Sequence, residues 1–198
     1  MLAYICWHRP ASAVGEPAYE QALERFHRSL AHRPPSGFVG SAVFRVAQLP
    51  WLASNAGHAT VLGGYEDWYL LDSWSAVGVL EEAAVSRGHI GAHDAVASRS
   101  ELSSGAIYRL SEGHARLDGV CLSVWVTPGS GHESPTIADL LGDGMDRTSA
   151  GLWRRCIGLG PAPEYCLLAP EPPAGVADTR LPPGWSAASV EKEEIFNG

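Results

Sequence analysis

Apolar and polar residues follow one order twice along this chain: strand, helix, strand, strand. Leu2–Arg9 is a short apolar run that reads as a strand. Pro17–His32 then places Ala22, Leu23, Phe26 and Leu30 at three- and four-residue steps, the spacing of one helical face. Pro17 suits the first turn, Glu20 and Glu24 lie toward the positive end, and Arg25, Arg28 and Arg33 gather toward the negative end. Pro34-Pro35-Ser36-Gly37 stops the helix. Phe38–Ala47 alternates Phe38, Gly40, Ala42, Phe44 and Val46 with Val39, Ser41, Val43 and Arg45, the period of a pleated strand. Leu49–Gly64 is an irregular connection, Tyr65–Asp72 an aromatic-rich strand, and Asp72-Ser73 caps a second helix marked by Trp74, Val77, Leu80 and Ala84. Arg87–Ser100 reads as loop or short helix, and Ala106–Leu110 as the strand that closes this first unit.

The second pass is an eroded copy. Val120–Thr127 is a strand, Ser134–Leu141 a short helix cut off by Gly142 and Gly144, and Leu152–Leu159 with Glu164–Leu168 a strand pair. Pro170–Gly184 is too rich in proline for a regular helix. Trp185–Phe196 reads as a terminal strand, although Glu191-Lys192-Glu193-Glu194 would also suit a helix. The expectation is an α+β protein of two ferredoxin-like units, antiparallel sheets with helices on one face, pseudo-duplicated with a degenerate second unit. Their bounds are 1–112 and 113–198.

Composition sharpens this picture only in places. Hydrophobic residues make up 45% and charged residues 18%, enough apolar material for a substantial core. The net charge of −8 and the lack of a basic run disfavour nucleic acid as a partner. No apolar run approaches the roughly 20 residues that span a bilayer, and Met1–Arg9 lacks the form of a secretory leader. Cys6, Cys121, Cys156 and Cys166 are spread without CxxC spacing, each within an expected strand, which suits buried, reduced thiols. A cytoplasmic protein without a membrane partner is expected. Thirteen of the fourteen basic residues are arginine, Lys192 standing alone, an imbalance that fits a codon bias.

Tyr4-Ile5-Cys6-Trp7-His8-Arg9-Pro10, followed by Tyr19 and Phe26-His27, resembles the start of EthD-like and NIPSNAP-like members of the dimeric α+β barrel superfamily. Tyr69-Leu70-Leu71-Asp72-Ser73-Trp74-Ser75-Ala76, a strand running straight into a helix, is similar to the corresponding junction of antibiotic-biosynthesis monooxygenase relatives. The resemblance implies two ferredoxin-like sheets packed face to face, between subunits as a homodimer or fused in one chain as in chlorite dismutase-like proteins. It implies a small organic molecule as partner and, for an enzyme, cofactor-independent oxygenation or isomerisation. In that chemistry His8 or His93 would be the base, Arg45 the group facing the oxyanion and Trp68 part of the wall. The chlorite dismutase-like alternative implies haem, with His114 or His132 as the second-half ligands available.

The residues themselves support several sites. His8 ends a strand, where a side chain can reach a pocket mouth. His89-x-x-x-His93-Asp94 has metal-ligand spacing, but Gly88 and Gly91 weaken a helix there, so a His93–Asp94 base-and-orienter pair is favoured over a metal. Trp7, Trp68, Trp125 and Trp153 fall at comparable strand positions; Trp68 and Trp125 are candidates for opposite walls of one cavity. Arg45 and Arg154 or Arg155 would bring charge to it, with Glu66, Asp67 and Glu164 as carboxylate partners. There is no GxSxG elbow and no GxGxxG after a strand, and Gly129-Ser130-Gly131-His132 lacks the lysine of a phosphate loop. No cofactor and no metal is expected. The rival to a small-molecule site is a non-catalytic binding or assembly module.

Overall fold

The computed structural model describes residues 1–53, 62–86, 88–129, 134–141, 149–169 and 184–198. The eight strands are β1 (Leu2–Pro10), β2 (Phe38–Gln48), β3 (Leu62–Leu71), β4 (Ser100–Gly113), β5 (Leu122–Thr127), β6 (Gly151–Gly158), β7 (Tyr165–Ala169) and β8 (Ser186–Asn197). They join in the order β1-β3-β2-β8-β5-β7-β6-β4 into one closed barrel, antiparallel at every seam. Among the described residues five helices accompany it: α1 (Glu16–His32), α2 (Pro50–Ala53), α3 (Trp74–Ala84), α4 (Ile90–Ala97) and α5 (Ile137–Leu141).

This corrects the expectation of two ferredoxin-like units. The run β4-β1-β3-β2 is followed around the ring by β8-β5-β7-β6, so strands from each half of the chain do lie side by side. They do not form two sheets, however. β2 pairs with β8, Arg45 opposite Glu193, and β4 pairs with β6, Arg109 opposite Arg154. Those seams satisfy the backbone groups that two separate sheets would leave on their edges, and one interior results.

Closure explains the elements that local sequence left open. The acidic run in β8 is strand because Val190 and Lys192 are buried inside while Glu191 and Glu193 face out. β4 is far longer than Ala106–Leu110, since one part of it pairs with β1 and another with β6. Arg87–Ser100 contains the short α4, whereas 170–183 lie outside the described residues.

Three apolar clusters follow from the pleat. All eight strands send residues into the interior, from Ile5 and Trp7 on β1 to Val190 on β8. A second cluster lies outside the wall, where α1 lays Tyr19, Leu23, Phe26 and Leu30 over Val43, Tyr69 and Leu71. A third forms where α5 puts Ile137, Leu140 and Leu141 on Val124, Leu152 and Leu167. At one end of the barrel Leu49 and Leu52 pack into the interior cluster, with Trp51 against it. Gly64 permits this approach: a Cβ there would sit 2.9 Å from both the His8 carbonyl oxygen and Leu49 Cδ1. Of the cysteines, Cys166 is buried and Cys6 half-buried, but Cys121 and Cys156 are exposed. Among the described residues no helix is long and apolar enough to cross a membrane.

Candidate functional site

The interior is walled by rings. Trp7 and Trp125 meet edge to face with centroids 5.4 Å apart, Trp51 lies 4.9 Å from Trp125, and Trp68 lies 6.2 Å from Trp125 and 5.8 Å from Trp153. Tyr108 adds a further ring 5.7 Å from Trp125 and donates its hydroxyl to the Pro163 carbonyl at 2.7 Å. Burial pushes the Tyr108 phenol and the Cys166 thiol up from their ordinary values.

One ion pair interrupts this apolar surface. Lys192 Nζ donates to Glu66 Oε2, and both side chains are wholly buried. Trp68 Nε1 donates to the same oxygen at 3.0 Å. The ammonium is 4.7 Å from the Phe44 ring centroid, 5.3 Å from Trp68 and 6.0 Å from Trp125, so aromatic faces meet what the carboxylate does not. Strand alternation puts the pair inside: Glu66 shares its face with Trp68, and Lys192 with Val190.

The same interior holds polar atoms that nothing satisfies. Trp7, Trp125 and Trp153 Nε1, Ser123 Oγ and Glu66 Oε1 are buried without a hydrogen-bond partner among the described residues. Native interiors leave few such atoms, and a cluster of them in one place calls for a ligand or water.

A second polar centre lies on the outer side of the wall, beneath α1. Asp67 Oδ2 is 3.1 Å from His8 Nε2 and 3.4 Å from His27 Nε2, and accepts the Tyr69 hydroxyl at 3.1 Å. Burial raises the Asp67 carboxyl, but the two histidines outweigh it and hold it well below the usual carboxylate range. The hydroxyl protons around it can be assigned by elimination. Ser100 donates to the Val96 carbonyl at 2.9 Å, so Tyr19 donates to Ser100 at 2.5 Å and accepts from His8 Nδ1 at 2.8 Å. On the other side the Ser41 hydroxyl and His27 Nδ1 share a hydrogen bond of 2.8 Å.

Of the residues singled out in the sequence, Trp7, Trp68 and Trp125 come together inside the barrel, with Trp153. His8 is buried on the opposite face of the wall, stacked 6.0 Å from Tyr65. Arg45 also faces out, donating to Glu20 and, at 2.6 Å, to Glu193. It lines a cleft of about 460 Å³ with Arg9, Glu16, Gly64, Tyr65 and Glu101. His93 and Asp94 are 3.1 Å apart on α4, and His93 borders a cleft of about 170 Å³ with Tyr4, Cys6, Phe26, Tyr69 and Glu81. Arg154 is exposed, 3.8 Å from Glu164 and over the Tyr165 ring. Among the described residues the interior cation is Lys192, which sequence reasoning passed over. Its signal was there: the chain's single lysine, two positions from Val190 on a strand.

Among the described residues no three His, Cys, Asp or Glu side chains are grouped to hold a metal ion. His114 is exposed just beyond β4, which does not fit a ligand to an enclosed haem iron, and His132 lies outside the described residues. No family model matches the chain, and no curated protein matches it. A solved structure described, provisionally, as a chlorite dismutase is similar to it at 14% sequence identity and a TM-score of 0.48, over 98% of this chain and 95% of that one. A likeness at that level decides neither fold nor function.

Proposed function

We propose that the protein binds a small, flat organic molecule among the indoles of the barrel interior. The observation that carries this reading is the set of buried, unpartnered atoms there: three indole N–H donors, the Ser123 hydroxyl and Glu66 Oε1. Eight strands enclose a space that side chains can just fill or that can take one small ligand. The rings supply dispersion and π contact, and the N–H groups ask for an acceptor. Because Lys192 is already neutralised by Glu66, the complementary molecule is uncharged: a planar ring system with a carbonyl or similar acceptor. No observation favours oxygenase or isomerase chemistry over binding, since His8, with Nδ1 on Tyr19 and Nε2 3.1 Å from Asp67, and Arg45, paired with Glu20 and Glu193, lie on the other side of the wall.

Tryptophan emission tests this directly. Titrating the folded protein with a panel of neutral aromatic carbonyl compounds and their acids should give saturable quenching with the former and little with the latter. A protein whose emission ignores every member of the panel would overturn the reading.

A further inference from the structure

The one lysine of the chain stands where its chemistry differs most from that of arginine. Thirteen arginines supply every other fixed cation, including those paired with Glu20, Glu24, Glu101 and Asp118. A buried ion pair as such would be served at least as well by a guanidinium, which is more weakly hydrated and binds carboxylates two bonds at a time. What an arginine cannot do is give up its proton and attack. We propose that Lys192 is a nucleophilic amine that captures the carbonyl group of a planar, apolar aldehyde or ketone as an imine. This rests on the binding reading above and names the class of molecule that the interior takes.

The surroundings contain each part the step needs. Glu66 touches Nζ and can accept its proton, leaving a neutral amine beside a neutral acid, a state that an apolar interior tolerates better than separated charges. The Nζ lone pair then forms the C–N bond while the carbonyl π pair moves onto oxygen, which takes the proton from Glu66. Glu66 next removes a second proton from nitrogen and returns it to the hydroxyl, which leaves as water when the C=N bond forms. The nitrogen keeps its third proton throughout, so the product is a protonated imine facing the Glu66 carboxylate, as the ammonium did. No oxidant or reductant enters. Phe44, Trp68 and Trp125 around Nζ select a conjugated, flat carbonyl compound and exclude the water that would hydrolyse the imine. Lys192 lies toward one end of the barrel, the end that Leu49 and Leu52 pack into, since it pairs with Val46, two residues before the end of β2.

Cinnamaldehyde, a planar aldehyde, with borohydride reduction and peptide mapping by mass spectrometry tests the proposal on the full chain. The competing primary amine is that of Met1, half exposed and therefore the site that accessibility alone would favour. The expected result is labelling of Lys192 at least about tenfold over Met1, lost when the protein is unfolded in urea. Glu66→Gln should slow labelling about tenfold, read as the rate of adduct formation at saturating cinnamaldehyde so that a change in binding does not enter it. Labelling confined to Met1, or no faster at Lys192 than in the unfolded chain, overturns the imine. If cinnamyl alcohol and cinnamaldehyde quench saturably without a Lys192 adduct, the imine alone falls and the binding reading stands. If neither compound alters emission and no adduct forms, both fall.

Discussion

Glu66 and Asp67 are neighbours on β3, yet the pleat sends them to opposite sides of one wall and into opposite kinds of order. Outside, Asp67 sits in a cluster whose histidines are backed by Tyr19, Ser41, Tyr69 and Ser100, so most donors have an acceptor to meet. Inside, Glu66 meets Lys192 and one indole, and the N–H groups of Trp7, Trp125 and Trp153 have no hydrogen-bond partner among the described residues. The outer cluster has what a structural network needs: helices over it and hydroxyls that fix the histidine rings. The inner one has the incompleteness of a site. Burial by itself does not separate the two, since both are enclosed; the number of unanswered polar atoms among the described residues does, five inside against His8 Nε2 and Asp67 Oδ1 outside.

That contrast can be broken most forcefully at Lys192. Lys192→Met leaves a buried carboxylate without its cation and should cost about 3–5 kcal/mol in urea unfolding, whereas the double change with Glu66→Leu should recover much of the loss. A single variant as stable as the parent would mean that water already reaches the pair.

The outer cluster is expected to respond to acid. The Asp67 carboxyl is held below its unfolded value of about 4, so its contribution is complete above that pH and drains as the pH falls below it. Asp67→Asn should therefore be about 2–3 kcal/mol less stable at pH 7 but lose less further stability than the parent between about pH 4 and pH 2. Parallel acid curves for the two proteins would remove Asp67 from the account.

The smallest effect compares two buried serines. Ser41→Ala takes the hydroxyl from His27 and should cost about 1 kcal/mol, while Ser123→Ala deletes a hydroxyl without a partner and should be neutral or slightly stabilising. Equal costs would show that Ser123 is satisfied by ordered water, and the inside would then look more like the outside.

Much of the fold's material was legible locally. The three- and four-residue steps from Ala22 to Leu30 marked the buried face of α1, and alternation through Phe44 and Val46 marked the inner face of β2. The tryptophans at Trp7, Trp68, Trp125 and Trp153 were legible as a group because each sits in a strand of clear period. The site's charge was not. Arg45 looked like the pocket cation because it interrupts an apolar strand, but the period of two places it outside as soon as Phe44 is inside. Lys192 looked like one member of Glu191-Lys192-Glu193-Glu194, a run that would also suit a helix.

The sequence alone determined most of the strands, the long helix α1 and which residues share a face in them, because these follow from periods of a few residues; β8, α4 and the full length of β4 it left open. It could not determine which face is enclosed. That depends on β2 finding β8 and β4 finding β6, pairings between distant parts of the chain that no local pattern encodes. Only when those seams close does Lys192 meet Glu66 across 126 residues, and only then does a ring of indoles become an interior.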